Sequence, residues 1–180
     1  MTLRSSKFFL LGALALFLNG CALFPMRAFV SPRPIFEPLQ FFEGRTISSG
    51  VFESPIGKPR EHFTTIATGR RHHDGDFTLA QSFIYEPGKK QKRLWHLRKI
   101  DAQHYEGTAN DVVGVAKGRT RGNTFYLEYT VALDPGDPLL NVRLRQVMQL
   151  QRDGSVTNRA TISKLGITVA RVTERFEHAR

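Results

Sequence analysis

From residue 41 onward the chain alternates apolar and polar residues, and no stretch sustains an apolar period of 3.6. A backbone whose side chains point alternately to two faces is a half-buried β-strand. The clearest stripe is Phe125, Leu127, Tyr129, Val131 and Leu133, with Thr124, Glu128 and Thr130 between them. Phe77, Leu79, Phe83 and Tyr85 form a second, and Val142, Leu144, Met148 and Leu150 a third. Thr168, Ala170, Val172 and Phe176 mark the last strand. Turn signals separate the runs about every ten residues: Asp74-Gly75, Pro87-Gly88, Gly122-Asn123, Asp134-Pro135-Gly136 and Asp153-Gly154. About eight to ten short strands with tight turns predict an all-β fold, a sandwich or an antiparallel up-and-down barrel. Closure favours the barrel because it removes exposed strand edges. A barrel of about eight strands can hold one small ligand. Gly107, Gly114 and Gly118 fall within strand-like sequence, where glycine marks a bulge or a sharp bend.

The first twenty residues read as something other than fold. Arg4 and Lys7 precede an apolar run, Phe8 to Leu18, of about eleven residues, short of the roughly 20 that a spanning helix needs. This is the pattern of a secretory signal peptide over residues 1–20. The only cysteine of the chain, Cys21, follows in Leu18-Asn19-Gly20-Cys21, which resembles the lipobox of bacterial lipoproteins. The resemblance implies cleavage before Cys21 and its acylation. Ala22 in the next position implies the outer membrane. Several acyl chains on one residue anchor stably. Residues 21–40 read as the lipidated cysteine and a tether, stiffened by Pro25, Pro32, Pro34 and Pro38. Its apolar residues, among them Phe24, Phe29, Ile35 and Phe36, could rest on lipid or on the domain. Residues 41–180 remain for the barrel domain.

A lone cysteine excludes an internal disulfide framework and a multi-cysteine zinc site. His72-His73-Asp74-Gly75-Asp76 gathers possible metal ligands, but adjacent residues of an extended chain point apart, and Asp-Gly is a hairpin cue. A surface turn is expected there, with no metal and no cofactor. No nucleophile–base pair or phosphate loop stands out, so a non-enzymatic role is expected. A hydrolase or isomerase acting in the barrel stays open without a motif.

Arg93 and Trp95 share the parity of one strand, and Tyr105 lies across a probable hairpin. An arginine pointing into a barrel needs a carboxylate partner, for which Glu106, Asp111 and Glu128 are candidates. Two readings are open. Trp95 plugs one barrel end with Arg93 stacked over it, or Arg93 anchors an anion-recognising ligand site. The candidate ligand-binding residues are Arg93, Trp95, Tyr105 and Asp111.

The formal net charge is +10, and it is concentrated. Residues 86–100 hold six Lys/Arg against one acid, and residues 139–180 hold eight against three. Such patches favour anionic surfaces, which for a secreted lipoprotein are phospholipid and cell-wall polymer, with no nucleic acid.

Several segments, taken in order, resemble one family. They are Phe41-Phe42-Glu43-Gly44, Gly50-Val51-Phe52, Phe83-Ile84-Tyr85, Arg93-Leu94-Trp95 and the run Tyr105 to Gly114. Gly122-Asn123, Asn158-Arg159-Ala160 and Ser163-Lys164-Leu165-Gly166-Ile167 complete the series. The order is similar to that of the uncharacterised bacterial lipoprotein family known as domain of unknown function 3833. The likeness implies a small lipocalin-like barrel and brings no activity or catalytic residue. The expectation is a lipid-anchored envelope protein, at the outer membrane and facing the periplasm, binding an apolar or amphipathic, lipid-like ligand. The alternative is an envelope interaction or assembly protein with a filled core, recruiting a protein partner through its basic faces.

Overall fold

The computed structural model describes residues 31, 33–86 and 88–179. The signal peptide, Cys21 and most of the tether lie outside the described residues. Ten strands follow one another: β1 (Gly44–Glu53), β2 (Pro59–Arg71), β3 (Phe77–Tyr85), β4 (Lys90–Lys99) and β5 (His104–Ala109), then β6 (Val112–Arg121), β7 (Thr124–Val131), β8 (Val142–Leu150), β9 (Val156–Lys164) and β10 (Ile167–His178). Each pairs antiparallel with its neighbour in sequence, and β10 closes onto β1. The expected up-and-down barrel is therefore what forms, with ten strands.

The alternation dictates which side is inside. On β7, Phe125, Leu127, Tyr129 and Val131 are buried, while Glu128 outside pairs with Arg143 and Arg145. Lys117, Arg119, Arg159, Arg175 and Glu177 likewise point outward from their strands. Apolar inside and charged outside is the reverse of a barrel that crosses a membrane on its strands. Among the described residues no helix is long and apolar enough to cross one either.

Two expected stripes break at their ends. Leu133 lies beyond β7 in the loop to β8 and is largely exposed. Thr168 faces outward because the β9–β10 register shifts between Thr168 and Ala170. One extra residue in a bulge flips the parity of everything before it. Gly114, at φ +71°, sits in a second irregularity, where β6 holds two more residues than β7 between the pairs Val113–Thr130 and Lys117–Glu128. Gly118 is a different case: a Cβ there would stand 2.7 Å from the Phe125 ring, so its hydrogen makes room for the aromatic core.

The two barrel ends differ. One is plugged by α1 (Pro38–Phe41), with Phe36, Leu39, Phe41 and Phe42 buried behind it. Phe36 meets Phe125 and Phe41 edge-on, and Phe42 meets Phe176. Phe36 N–H donates to Gly122 O at 2.9 Å. The packed domain thus begins before residue 41, within the segment read as tether. The plug, and not Trp95, closes this end. The other end is formed by the β1–β2, β3–β4, β5–β6, β7–β8 and β9–β10 turns.

The His72–Asp76 segment is the β2–β3 hairpin turn, with Gly75 at φ +85° and His72 N–H bonded to Asp76 O. No metal-binding cluster occurs among the described residues.

Candidate functional site

The barrel is not solid. A cavity of about 380 Å³ runs from Leu39 and Phe42 at the plug to Phe52, Tyr85 and Leu133 near the open end. Its wall is mostly aromatic and aliphatic, and its size falls in the roughly 300–1,000 Å³ range of small-ligand pockets. Few polar side chains reach it, and they lie at two depths.

The upper group is built on β4 and the β5–β6 turn. Arg93 and Trp95 project inward from alternate positions of β4. Asn110 and Asp111 in the turn clip that strand. Asn110 Oδ1 accepts from Leu94 N–H at 2.7 Å, and Asp111 accepts from Arg93. The pairing is bidentate, Nε to Oδ1 and Nη2 to Oδ2, each 2.7 Å. The two side chains are only 10% and 13% exposed. Arg93 Nη1 donates to Tyr129 Oη at 3.2 Å. The guanidinium also lies 5.5–5.7 Å from the ring centres of Phe83, Trp95 and Tyr129. Burial alone would lower the Arg93 pKa, but the Tyr129 oxygen and the Asp111 carboxylate outweigh it and raise it. A guanidinium has five N–H groups. Three are engaged, so two have no acceptor among the described residues. Trp95 Nε1–H donates to Gln81 Oε1 at 3.0 Å, and Tyr85 Oη–H to Gln91 Oε1 at 3.1 Å.

Of the expected carboxylate partners Asp111 is the one that meets Arg93. Glu106 pairs outside with Lys117, and Glu128 with Arg143 and Arg145. Arg93, Trp95 and Asp111 come together. Tyr105 does not join them: it lines the cavity toward the plug, edge-on to Phe125, and its hydroxyl donates to Glu37 Oε2 at 3.1 Å. Lys99 Nζ reaches the same oxygen at 2.8 Å, so Tyr105 and Lys99 fasten the segment that leads into α1.

The deeper polar group escapes sequence reasoning. Glu174 on β10 is 6% exposed and accepts from Ser48 Oγ at 2.5 Å, Thr65 Oγ1 at 2.9 Å and Asn158 Nδ2 at 3.2 Å. Burial raises the Glu174 pKa against the lowering effect of these three donors. Asn158 Oδ1 and Thr46 Oγ1, both buried, have no partner. One signal was available: Glu174 has the inward parity of Ala170, Val172 and Phe176, a carboxylate in an apolar stripe. Gln81 and Tyr129 could have been found the same way.

A closed antiparallel up-and-down barrel around an apolar cavity is the architecture of lipocalin-like proteins. Over residues 15–178 the chain matches the family described as protein of unknown function (DUF3833), and it belongs to that family. The fold is similar to that of the S-type phycobiliprotein lyase CPES from Guillardia theta, at 10% identity and a TM-score of 0.60, covering 83% of this chain and 95% of that one. It is also similar to Rv2717c from M. tuberculosis, at 14% identity and a TM-score of 0.59, covering 81% and 99%. At such identities the likeness is one of fold. No protein of curated function matches the sequence.

Proposed function

We propose that the protein is a lipid-anchored component of the bacterial envelope, at the outer membrane and facing the periplasm, whose barrel binds an amphipathic, lipid-like molecule. One observation carries this reading: an apolar cavity lined by Arg93, whose guanidinium is neutralised by Asp111 and keeps two N–H groups beyond those bonded to Asp111 and Tyr129. An apolar chain suits the aromatic and aliphatic wall. A carbonyl, phosphate or carboxylate oxygen suits the Arg93 donors, and Trp95 and Tyr129 flank it. Because Asp111 cancels the charge, acceptor geometry counts for more than net charge. The anchor rests on the lipobox-like segment before Cys21. The alternative, a partner-binding protein with a filled core, draws on the basic segments but needs a core without this cavity.

The test is mass spectrometry of protein purified without detergent, followed by ligand removal and re-addition. Trp95, the only tryptophan, lines the cavity and serves as probe. The expected results are a co-purifying amphipathic molecule and a shift of Trp95 emission when a fatty acid or lysophospholipid is added to the emptied protein. No such molecule and no shift refute the reading. For the anchor, Cys21→Ala is expected to abolish the acyl mass; an unchanged mass increment refutes it.

A further inference from the structure

Exposed aliphatic residues gather at the open end of the barrel. Ile56 in the β1–β2 turn, Leu139 in the β7–β8 loop and Leu165 in the β9–β10 turn are 80–95% exposed. Leu133, Leu140 and Ile167 stand beside them, also exposed. These three connections are consecutive around the barrel, because β2–β1, β10–β9 and β8–β7 adjoin in the sheet. The tips therefore form one arc over the rim and not scattered single residues. Exposed aliphatic tips gathered on one rim suit an interaction site. At the plugged end, the large exposed aliphatics among the described loop residues are Ile35 and Ile100.

The charge of the rim complements the arc. The β3–β4 hairpin supplies Lys89, Lys90 and Lys92, the adjoining β1–β2 turn adds Lys58, and the end of β9 adds Lys164. None of these five lysines forms an ion pair among the described residues. The acids of the rim are Glu53, Glu61, Glu86, Asp111, Asp134 and Asp137; Asp111 is taken up by Arg93, Glu53 accepts from Thr173 Oγ1, and Asp134 and Asp137 accept turn N–H groups from Gly136 and Leu139. Aliphatic tips beside free lysines suit an anionic bilayer, where the tips enter the interface and the lysines meet phosphate. A second copy suits them less, since a two-fold interface must be self-complementary and an arc with a lysine cluster at its side is not.

We infer that the open rim of the barrel docks on an anionic phospholipid bilayer, with Ile56, Leu139 and Leu165 in the interface and the β3–β4 lysines on headgroups. Docked in this way, the cavity mouth at Phe52, Tyr85 and Leu133 opens onto the acyl region. The chain enters the fold at the opposite end, where Ser31 N–H donates to Asn123 Oδ1 at 2.9 Å. Ten residues from Cys21 to Ser31 reach at most about 35 Å, and the tilted barrel is roughly 25 Å tall. An anchor at Cys21 thus permits the rim to face the membrane that holds it. The docking deepens the proposed function but stands or falls separately, because it needs neither a ligand in the cavity nor an acyl group.

The test uses the full chain with a single added cysteine, Leu139→Cys, Leu165→Cys or, at the plugged end, Ile100→Cys, each carrying an environment-sensitive fluorophore. On vesicles of phosphatidylethanolamine with phosphatidylglycerol, both rim labels are expected to shift to the blue and to be quenched by acyl-chain quenchers. The Ile100→Cys label is expected to stay open to aqueous iodide. Lys89→Glu with Lys90→Glu and Lys92→Glu, all on exposed side chains, should remove the shift. Rim labels as open to iodide as the Ile100→Cys label overturn the proposal. So do rim labels already shifted before vesicles are added, which indicates a second copy on the rim, and a shift unaffected by the three glutamates. Acylation and co-purified ligand are read independently by mass, so their failure is distinguishable from failure of docking.

Discussion

Replacing Asp111 while keeping Arg93 leaves a guanidinium inside the barrel without its counter-ion. Arg93 is 10% exposed and enclosed by Phe83, Trp95 and Tyr129, so water cannot easily take the place of the carboxylate. Breaking a buried pair by removing one partner costs about 3–5 kcal/mol, and Asp111→Ala belongs in that range. Arg93→Met keeps an unbranched stem against the three rings and leaves the carboxylate, which sits in a turn at the open end and keeps Gln91 Nε2 as a donor at 3.4 Å. Its cost is expected to be lower, about 1–3 kcal/mol. With both changes no charge is stranded, and the methionine sulfur sits among aromatic rings, a favourable contact. The double variant is expected to cost no more than Asp111→Ala alone, a coupling at least as large as the Arg93→Met cost, about 1–3 kcal/mol. The assay is urea unfolding followed by Trp95 fluorescence, repeated calorimetrically because Arg93 lies against the probe. For a domain of this size each kcal/mol moves Tm by about 2–4 °C. Additive single costs, or an Asp111→Ala cost below about 1 kcal/mol, refute the view of Arg93 and Asp111 as a buried, mutually dependent pair.

Glu174→Gln tests the deeper polar group. Burial raises the folded-state pKa of Glu174 above its ordinary value, so its contribution to stability is present at low pH and lost as pH rises through the folded-state pKa. The variant, which cannot ionise, is expected to flatten the fall in urea midpoint as pH rises above the ordinary glutamate range; an unchanged slope contradicts the assignment. Phe36→Ala removes a fully buried ring from the plug and is expected to destabilise by about 3–5 kcal/mol. A loss below about 1 kcal/mol in the same unfolding assay would return residue 36 to the tether.

Much of the fold is legible in the sequence because side-chain direction in a strand depends only on parity. The stripes at Phe77, Phe125 and Val142 needed no partner to be read. Parity fails where an extra residue enters a strand. Parity alone therefore points Thr168 inward, and nothing in its neighbourhood announces the bulge at Val169. The plug was hidden for another reason: Phe36, Leu39 and Phe41 sit among prolines, and four residues of α1 are too few to show a period. At the site, the inward Arg93 and Trp95 were legible, as was the need for a carboxylate. The choice of Asp111 over Glu106 and Glu128 was not, because it depends on how the β5–β6 turn folds back beside β4.

The sequence by itself determined the strand count to within two, the faces of most strands, the surface turn at His72–Asp76 and the single cysteine on which the anchor proposal rests. Tertiary structure decided the rest. Closure of β10 onto β1 brings Ser48 and Thr65 to Glu174 across more than a hundred residues. It also sets three distant hairpin tips side by side on one rim. Alternation is a local property of the backbone, whereas a cavity, an ion pair and a rim are made by residues that meet only when the sheet closes.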